Sequence, residues 1–335
     1  MTRWLTALLL YALTTPLGAA PIAYVPNEGS DSISFIDTET DEVVGGVHGG
    51  KKPRGIAFGA DGTLFVSNAP DGALLAIDVG RKRTLDKVDL GESPEGVYAS
   101  PDGTVIAAAV EVSNAVVFVD ARSRKKLFTV KTDGKNPEHA VFSPDGRFLY
   151  VSAEDAEDVD VVDVAQRKQV AKIKVGKRPR GIGFLPDGAK AYVACEIASE
   201  IYVLDARTHT VLKKLKGGNF SNGVAVRPDG RRVYVSNGKD GTVSVIDTAT
   251  LTIDVNPIPN VLFTDLAFCA TLSCKQTLTV IFYFSFSSDP DGTIVSRQWD
   301  FGDGFTSNLA NPSHGIEGAG TYVLSLTVTD NSGAQ

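Results

Sequence analysis

The chain has 335 residues, 43% hydrophobic and 22% charged, with 33 Lys plus Arg against 40 Asp plus Glu and a net charge of −7. That apolar content suffices for the cores of two ordinary domains, or of one large domain with an appendage, and excludes wholesale disorder. The acidic balance leaves no electrostatic footprint for general DNA or RNA binding, and 33 glycines without long stretches at helical period point to strands and turns.

The first segment reads as an export signal. Arg3 supplies a positive charge, and the apolar run from Trp4 to Leu13 is too short to span a bilayer but suits a signal-peptide core. Gly18, Ala19 and Ala20 offer small residues for cleavage after Ala20, with Pro21 an awkward neighbour. No later stretch reaches about 18 apolar residues, so no transmembrane segment is expected beyond the signal. The expected address is secreted, cell-surface or periplasmic.

From residue 22 to about residue 255 the sequence repeats. Asp-Gly turns recur at Asp61, Asp102, Asp145, Asp187 and Asp229, with a period near 42. A second aspartate closes an apolar run at Asp37, Asp78, Asp120, Asp163, Asp205 and Asp247, with the same period. Short strands alternating at period two within such a unit are those of a β-propeller blade, whereas helical repeats of similar length would show a 3.6-residue period. One unit divides into a short apolar strand over 55–58, a second over 63–68, a third over 73–78 and a charged fourth ending near Leu90. The aspartates are expected to serve turn chemistry.

The runs AYVPNEGSDSISFIDTETDEVVG, VYVSNGKDGTVSVIDTATLTI and GKRPRGIGFLPDG resemble the YVTN-type β-propeller repeats of exported and surface-layer proteins. A signal peptide followed by such repeats also resembles small periplasmic propellers associated with quinoprotein-dependent catabolism. The innermost strand type occurs five times and the second and third types six times each. Six blades follow if Val261 to Phe263 supplies the missing inner strand; the resembled family often has seven.

After Asp254 the period is lost. The runs SSDPDGTIVSRQWDFGDG and NPSHGIEGAGTYVLSLTVTD resemble a PKD domain, an immunoglobulin-like β-sandwich. The expected fold is therefore all-β: signal peptide 1–20, propeller 21–256, then linker and PKD-like sandwich 257–335, incomplete because the chain stops where a last strand is due. Trp299 is expected to fill the sandwich core, and Gly302 and Gly304 to permit a tight turn. The aromatic run from Thr279 to Phe286 departs from the resembled pattern.

Catalytic signals are missing. His48, His139, His209 and His314 are scattered without zinc-ligand spacing, and there is neither a Gly-x-Ser-x-Gly elbow nor a P-loop. Cys269 and Cys274 are spaced for a small disulfide loop in an oxidising compartment, while Cys195, in a strand-like run, reads as a small buried hydrophobe. No cofactor is expected except that Asp289, Asp291, Asp300 and Asp303 offer the hard ligands calcium takes; turn stabilisation explains them equally.

One constellation stands at matching repeat positions, where the chain crosses from blade to blade: KKPRG, ESPEG, NPEH, KRPRG and FSNG. Crossings lie around the channel mouth of a propeller, so Lys51, Arg54, Glu95, Glu138, Arg180 and Asn222 form a candidate binding rim, with the acidic loop from Glu154 to Asp160 on the same face. The rim is either a recognition surface or a solvated ring of weak ion pairs. The reading that results is a non-enzymatic binding or adhesion protein with an extracellular or periplasmic protein or polysaccharide partner. The alternatives are a quinoprotein-dependent accessory, a lactonase-like enzyme and a structural surface-layer component.

Overall fold

The computed structural model describes residues 22–38, 40, 42–254, 294–300, 304–308 and 325–330. Six antiparallel sheets succeed one another along the propeller region. The first has three strands, β1 (Ile22–Asn27), β2 (Ser32–Asp37) and β3 (Glu42–His48). The second has four: β4 (Pro53–Phe58), β5 (Leu64–Asn68), β6 (Ala73–Asp78) and β7 (Arg83–Asp89). The third is β8 (Pro94–Ala99), β9 (Val105–Val110), β10 (Ala115–Asp120) and β11 (Lys126–Lys131); the fourth is β12 (Pro137–Phe142), β13 (Phe148–Ala153), β14 (Asp158–Asp163) and β15 (Lys168–Lys174). The fifth is β16 (Pro179–Phe184), β17 (Lys190–Cys195), β18 (Glu200–Asp205) and β19 (Thr210–Lys216), and the sixth β20 (Ser221–Val226), β21 (Arg232–Asn237), β22 (Thr242–Asp247) and β23 (Thr252–Asp254). This is a six-blade propeller. The run Val261 to Phe263, expected as the missing inner strand of the first sheet, lies outside the described residues.

The second to fifth blades are each sandwiched between neighbours, and that decides which residues make their strands. β5 and β6 have both faces covered and are apolar almost throughout, as strands with no solvent face must be. β7, at the rim, alternates Arg, Lys and Asp with occasional apolar residues and is mostly exposed. Among the described residues, hydrophobic clusters fill successive blade junctions, for example Phe65, Leu74, Val97, Ile106 and Val117 between the second and third blades. The next junction is filled by Val116, Phe118, Phe142 and Leu149.

Both aspartate series act in turns. Asp61, Asp102, Asp145, Asp187 and Asp229 each accept the amide of the residue two further on. Asp78, Asp120, Asp163, Asp205 and Asp247 each accept the amide three further on. Such bonds to the charged form hold carboxylates such as Asp102 and Asp205 below their ordinary range.

The inner strands pack edge to edge around the axis. A Cβ on Gly55 would lie 2.5 Å from the Glu95 carbonyl oxygen, on Gly96 2.6 Å from that of Glu138, and on Gly181 2.4 Å from that of Asn222. Only glycine permits that approach. Each inner strand opens with a residue paired to the end of its neighbour, then skips register: Pro53 faces Asn68, and pairing resumes at Ile56 with Val66. The amides at this bulge are taken by hydroxyls in three blades, Gly55 to Ser67, His139 to Ser152 and Gly223 to Ser236.

In the C-terminal region β24 (Ile294–Asp300) pairs with β25 (Thr306–Ser307) and β26 (Ser325–Asp330). Trp299 is 2% exposed, as expected of a core residue, and Gly304 takes the left-handed turn conformation at φ 95°. The expected signal segment, Cys269, Cys274, the run Thr279 to Phe286, Asp289, Asp291, Gly302, Asp303 and His314 lie outside the described residues. No helix among the described residues is long and apolar enough to cross a membrane.

Candidate functional site: the channel mouth

Two kinds of segment meet at the mouth: the crossings into the inner strands, and the loops joining the second and third strands. In every crossing the residue before the strand's first position adopts positive φ: Lys52, Ser93, Asn136, Arg178 and Phe220. This fixed kink aims the following side chains inward and brings the rim residues together in sets.

One set spans the first three blades. Arg54 donates to Glu95 at 2.7 Å and to Glu28 at 3.2 Å. Glu95 is 3% exposed; burial pushes its carboxyl up while the Arg54 hydrogen bond opposes the shift, and the same bond holds the guanidinium firmly charged. Ser93 donates to Glu111 at 2.8 Å and lies 3.4 Å from Glu95.

The second set joins the fourth and fifth blades. Arg180 reaches Glu138 at 3.1 Å and Glu154 at 3.3 Å, while Arg178 pairs with Glu154 and, at 3.1 Å, with Glu196. Glu138 is 6% exposed, and burial raises its carboxyl to about 7 against the pull of Arg180. One oxygen each of Glu111, Glu138 and Glu154 lies within 4.8 Å of the others, which makes them the described residues able to hold a metal ion. Beside them opens a hollow of about 550 Å³ lined by Asn136, Glu154, Asp155, Lys177, Arg178 and the exposed Ile197, among others.

The rim expected from the repeat is therefore assembled from Arg54, Glu95, Glu138 and Arg180. Lys51 stands apart, exposed, and its charge helps to lower the Asp71 carboxyl, whose main partner is Lys87. Asn222 contributes its carbonyl to the inner-strand contact with Gly181. Asp300 is exposed on β24.

Sequence reasoning placed the acidic loop that begins at Glu154 on this face but missed the other loop carboxylates that complete the rim, Glu28, Glu111 and Glu196. Their signal was present: the first residue after the second strand is glutamate in four of six units, Glu28, Glu111, Glu154 and Glu196. His139, at the end of the NPEH crossing, occupies the inner-strand position held by Gly55, Gly96, Gly181 and Gly223. Its Nδ1 is hydrogen-bonded to the Tyr98 hydroxyl, and desolvation with Arg180 nearby lowers its pKa to about 3, so the imidazole is neutral. His209 bonds the Tyr150 hydroxyl at 2.7 Å and is structural. Cys195 is fully buried and its thiol is pushed up to about 12, the inert small hydrophobe expected.

Comparison with known proteins bears on both regions. A family model described as a YNCE-like beta-propeller matches residues 17–262, and one described as a PKD domain matches residues 267–335. The chain is 40% identical over 82 residues to a microbial collagenase of Vibrio alginolyticus, a match covering 24% of this chain and 10% of that protein. It is 55% identical over 47 residues to the pre-pro-metalloprotease PrtV of Vibrio cholerae, covering 14% of this chain and 5% of that one. It is 51% identical over 47 residues to the collagenase ColA of Clostridium perfringens, covering 14% and 4%. The chain thus spans a tenth or less of these relatives' length. Among solved structures, hydrazine synthase of Kuenenia stuttgartiensis superposes with a TM-score of 0.62 at 22% identity, over 72% of this chain and 80% of that one. A functionally unknown protein of Desulfotomaculum acetoxidans gives 0.62 at 20%, over 70% and 78%. At such identity these two speak for the fold alone.

Proposed function

Since this chain belongs to the YNCE-like beta-propeller family and carries a PKD domain behind the propeller, we propose that it is an exported, non-enzymatic binding protein. Its channel mouth recognises a protein or polysaccharide outside the cytoplasm, and the PKD module adds attachment to a surface or matrix. The observation that carries this reading is the rim itself. Arg54, Glu95, Glu138, Glu154, Arg178 and Arg180, drawn from four blades, are held in fixed geometry by mutual ion pairs before any partner arrives. Preorganisation of that kind removes an ordering cost from binding. The signal-like first 20 residues support export, and the collagenase names among the relatives of the C-terminal region make collagen a partner to test first.

The test is a binding panel of fibrillar collagen, a glycan array and cell-envelope polysaccharide, probed with the full chain and with an Arg54→Ala, Arg180→Ala variant whose folding is checked by its melting curve. Saturable binding that the folded variant loses supports recognition at the mouth. Binding that the variant keeps moves recognition off the rim, and silence across the panel overturns the reading for these partner classes.

A further inference from the structure

We propose that the end of the propeller opposite the rim binds an acidic polysaccharide, along the turns between the third and fourth strands of the second, third and fourth blades. The loops between second and third strands lie at the mouth, so in an antiparallel blade the next turn lies at the other end. Those turns read RKR over 81–83, RSRKK over 122–126 and RK over 167–168. Nine basic residues thus stand against three turn aspartates, in a chain whose net charge is −7. The same turn is uncharged in the sixth blade, TATL over 248–251, and acidic in the first, TETDE over 38–42. The cations are confined to one sector.

Turn chemistry does not call for them. Each turn is closed by its aspartate: Asp78, Asp120 and Asp163 accept the amides of Arg81, Ser123 and Gln166. The residue four after the aspartate has positive φ, a conformation that glycine and asparagine adopt most readily, yet Lys82, Arg124 and Arg167 hold it at 51°, 58° and 54°. His209 and Leu251 fill the same place in the fifth and sixth blades, so the turn itself demands no cation. Pairing does not call for them either. Arg81 meets Asp78 at 2.9 Å and Lys126 meets Asp89 at 3.7 Å; the other cations of the three turns have no carboxylate within ion-pair distance among the described residues.

The three turns form one continuous arc because each leans on the preceding blade. The Lys82 ammonium stands 6.0 Å from the centre of the Phe35 ring on β2, Lys126 reaches Asp89 on β7, and the Arg167 guanidinium stacks over Phe128 on β11 at 4.8 Å. Stacking on a ring fixes the guanidinium plane and leaves its N–H groups to donate. A chain of uronate sugars, with one carboxylate on each ring, fits such an arc: it meets the turns in succession, and a guanidinium fork matches a carboxylate with two parallel bonds. One exposed ion pair contributes little, and several carried on one polymer bind through their linkage. The proposal rests on the reading of an exported polysaccharide-binding protein but uses the other end of the propeller, so the two can fail separately.

The experiment titrates the full chain with polygalacturonate by calorimetry, with neutral dextran, single-stranded oligothymidylate and phosphatidylglycerol vesicles as the other arms. The expected result is saturable binding to polygalacturonate that weakens at least about tenfold between roughly 50 and 200 mM sodium chloride, and none to dextran. Lys125→Glu, Lys168→Glu, at two exposed positions, keeps the parent's melting temperature and weakens this binding at least about tenfold. Lys216→Glu, Arg231→Glu, which changes the net charge equally outside the sector, retains it, and so does the Arg54→Ala, Arg180→Ala variant. No binding to polygalacturonate overturns the proposal, as does binding that Lys125→Glu, Lys168→Glu keeps or that the Lys216→Glu, Arg231→Glu control loses equally. Binding lost only with Arg54→Ala, Arg180→Ala overturns it as well, while leaving recognition at the mouth intact. Tighter binding to oligothymidylate or to the vesicles overturns the choice of a polysaccharide.

Discussion

Gly181→Ala tests the geometry on which the mouth depends. The added methyl would lie 2.4 Å from the Asn222 carbonyl oxygen and 2.9 Å from the Val224 nitrogen, both backbone atoms of the next inner strand. Ordinary carbon contacts begin near 3.5 Å, so β16 and β20 must part by about 1 Å along a packed blade junction. Overpacking of this kind costs about 2–3 kcal/mol, or roughly 5–10 °C in melting temperature at about 2–4 °C per kcal/mol. Gly62→Ala is the control. Gly62 sits in an Asp-Gly turn at φ 79° with open space around it, so a methyl there meets only the left-handed backbone penalty of about 1 kcal/mol. Melting curves of the two variants beside the parent separate crowding from backbone strain. Equal losses, or a Gly181→Ala protein that melts like the parent, would refute the close approach of the inner strands. The variant should also loosen the rim, because Arg180 is the residue before the glycine.

Arg54→Met strips Glu95 of its counter-charge; since Arg54 is 42% exposed, the expected loss is about 2 kcal/mol. Adding Glu95→Gln should recover most of it, and additive losses in urea unfolding would show the two residues to be uncoupled. Asp160 is fully buried, accepts the Gly134 amide and the Gln169 side chain, and is raised by burial from 3.8 to about 6. Its proton is held more tightly in the folded state. The stability it contributes is therefore full below pH about 4, falls as the pH rises through 6, and is lower by about 3 kcal/mol beyond it. The stability difference between parent and Asp160→Asn should carry this slope between pH 4 and 7, and a flat difference would contradict the assignment. Cys195 should resist thiol reagents in the native protein and react only on unfolding, read by peptide mapping; native labelling would mean that the blade junction opens.

The fold was legible because its determinants are local and recur. An Asp-Gly pair closes a turn through its own neighbours, so two aspartate series, each recurring once per blade, carried the architecture. The third strand was placed at 73–78 and is found as Ala73–Asp78. The inner strand was placed at 55–58 but begins at Pro53, because a proline at the first position of a strand forgoes no ladder bond and the bulge that follows leaves no mark in the alternation. The site was half legible. Repeat logic put Arg54, Glu95, Glu138 and Arg180 on one mouth, but which carboxylate meets which guanidinium depends on how far each loop reaches inward. Glu154 was visible as part of an acidic loop, and nothing in its spacing says that it lies between Arg178 and Arg180.

A repeat places equivalent positions in a ring, so what distinguishes one side of the ring from another must come from substitutions that break the repeat. Four of the five inner strands carry glycine where β12 carries His139, and the imidazole stands at the junction where Glu138 and Arg180 bridge to the fifth blade. The loop glutamates obey the same logic. Glu111, Glu154 and Glu196 belong to consecutive blades, whereas the second and sixth blades have Ala69 and Gly238 at that position. Turn stability does not require this polarity, because Ala69 and Gly238 lead equally well-formed loops. The side of the mouth carrying His139 and the consecutive glutamates is therefore where a ligand has the most chemistry to meet, and variants at Glu111, Glu138 and Glu154 should change binding more than changes at Lys51 or Asn222.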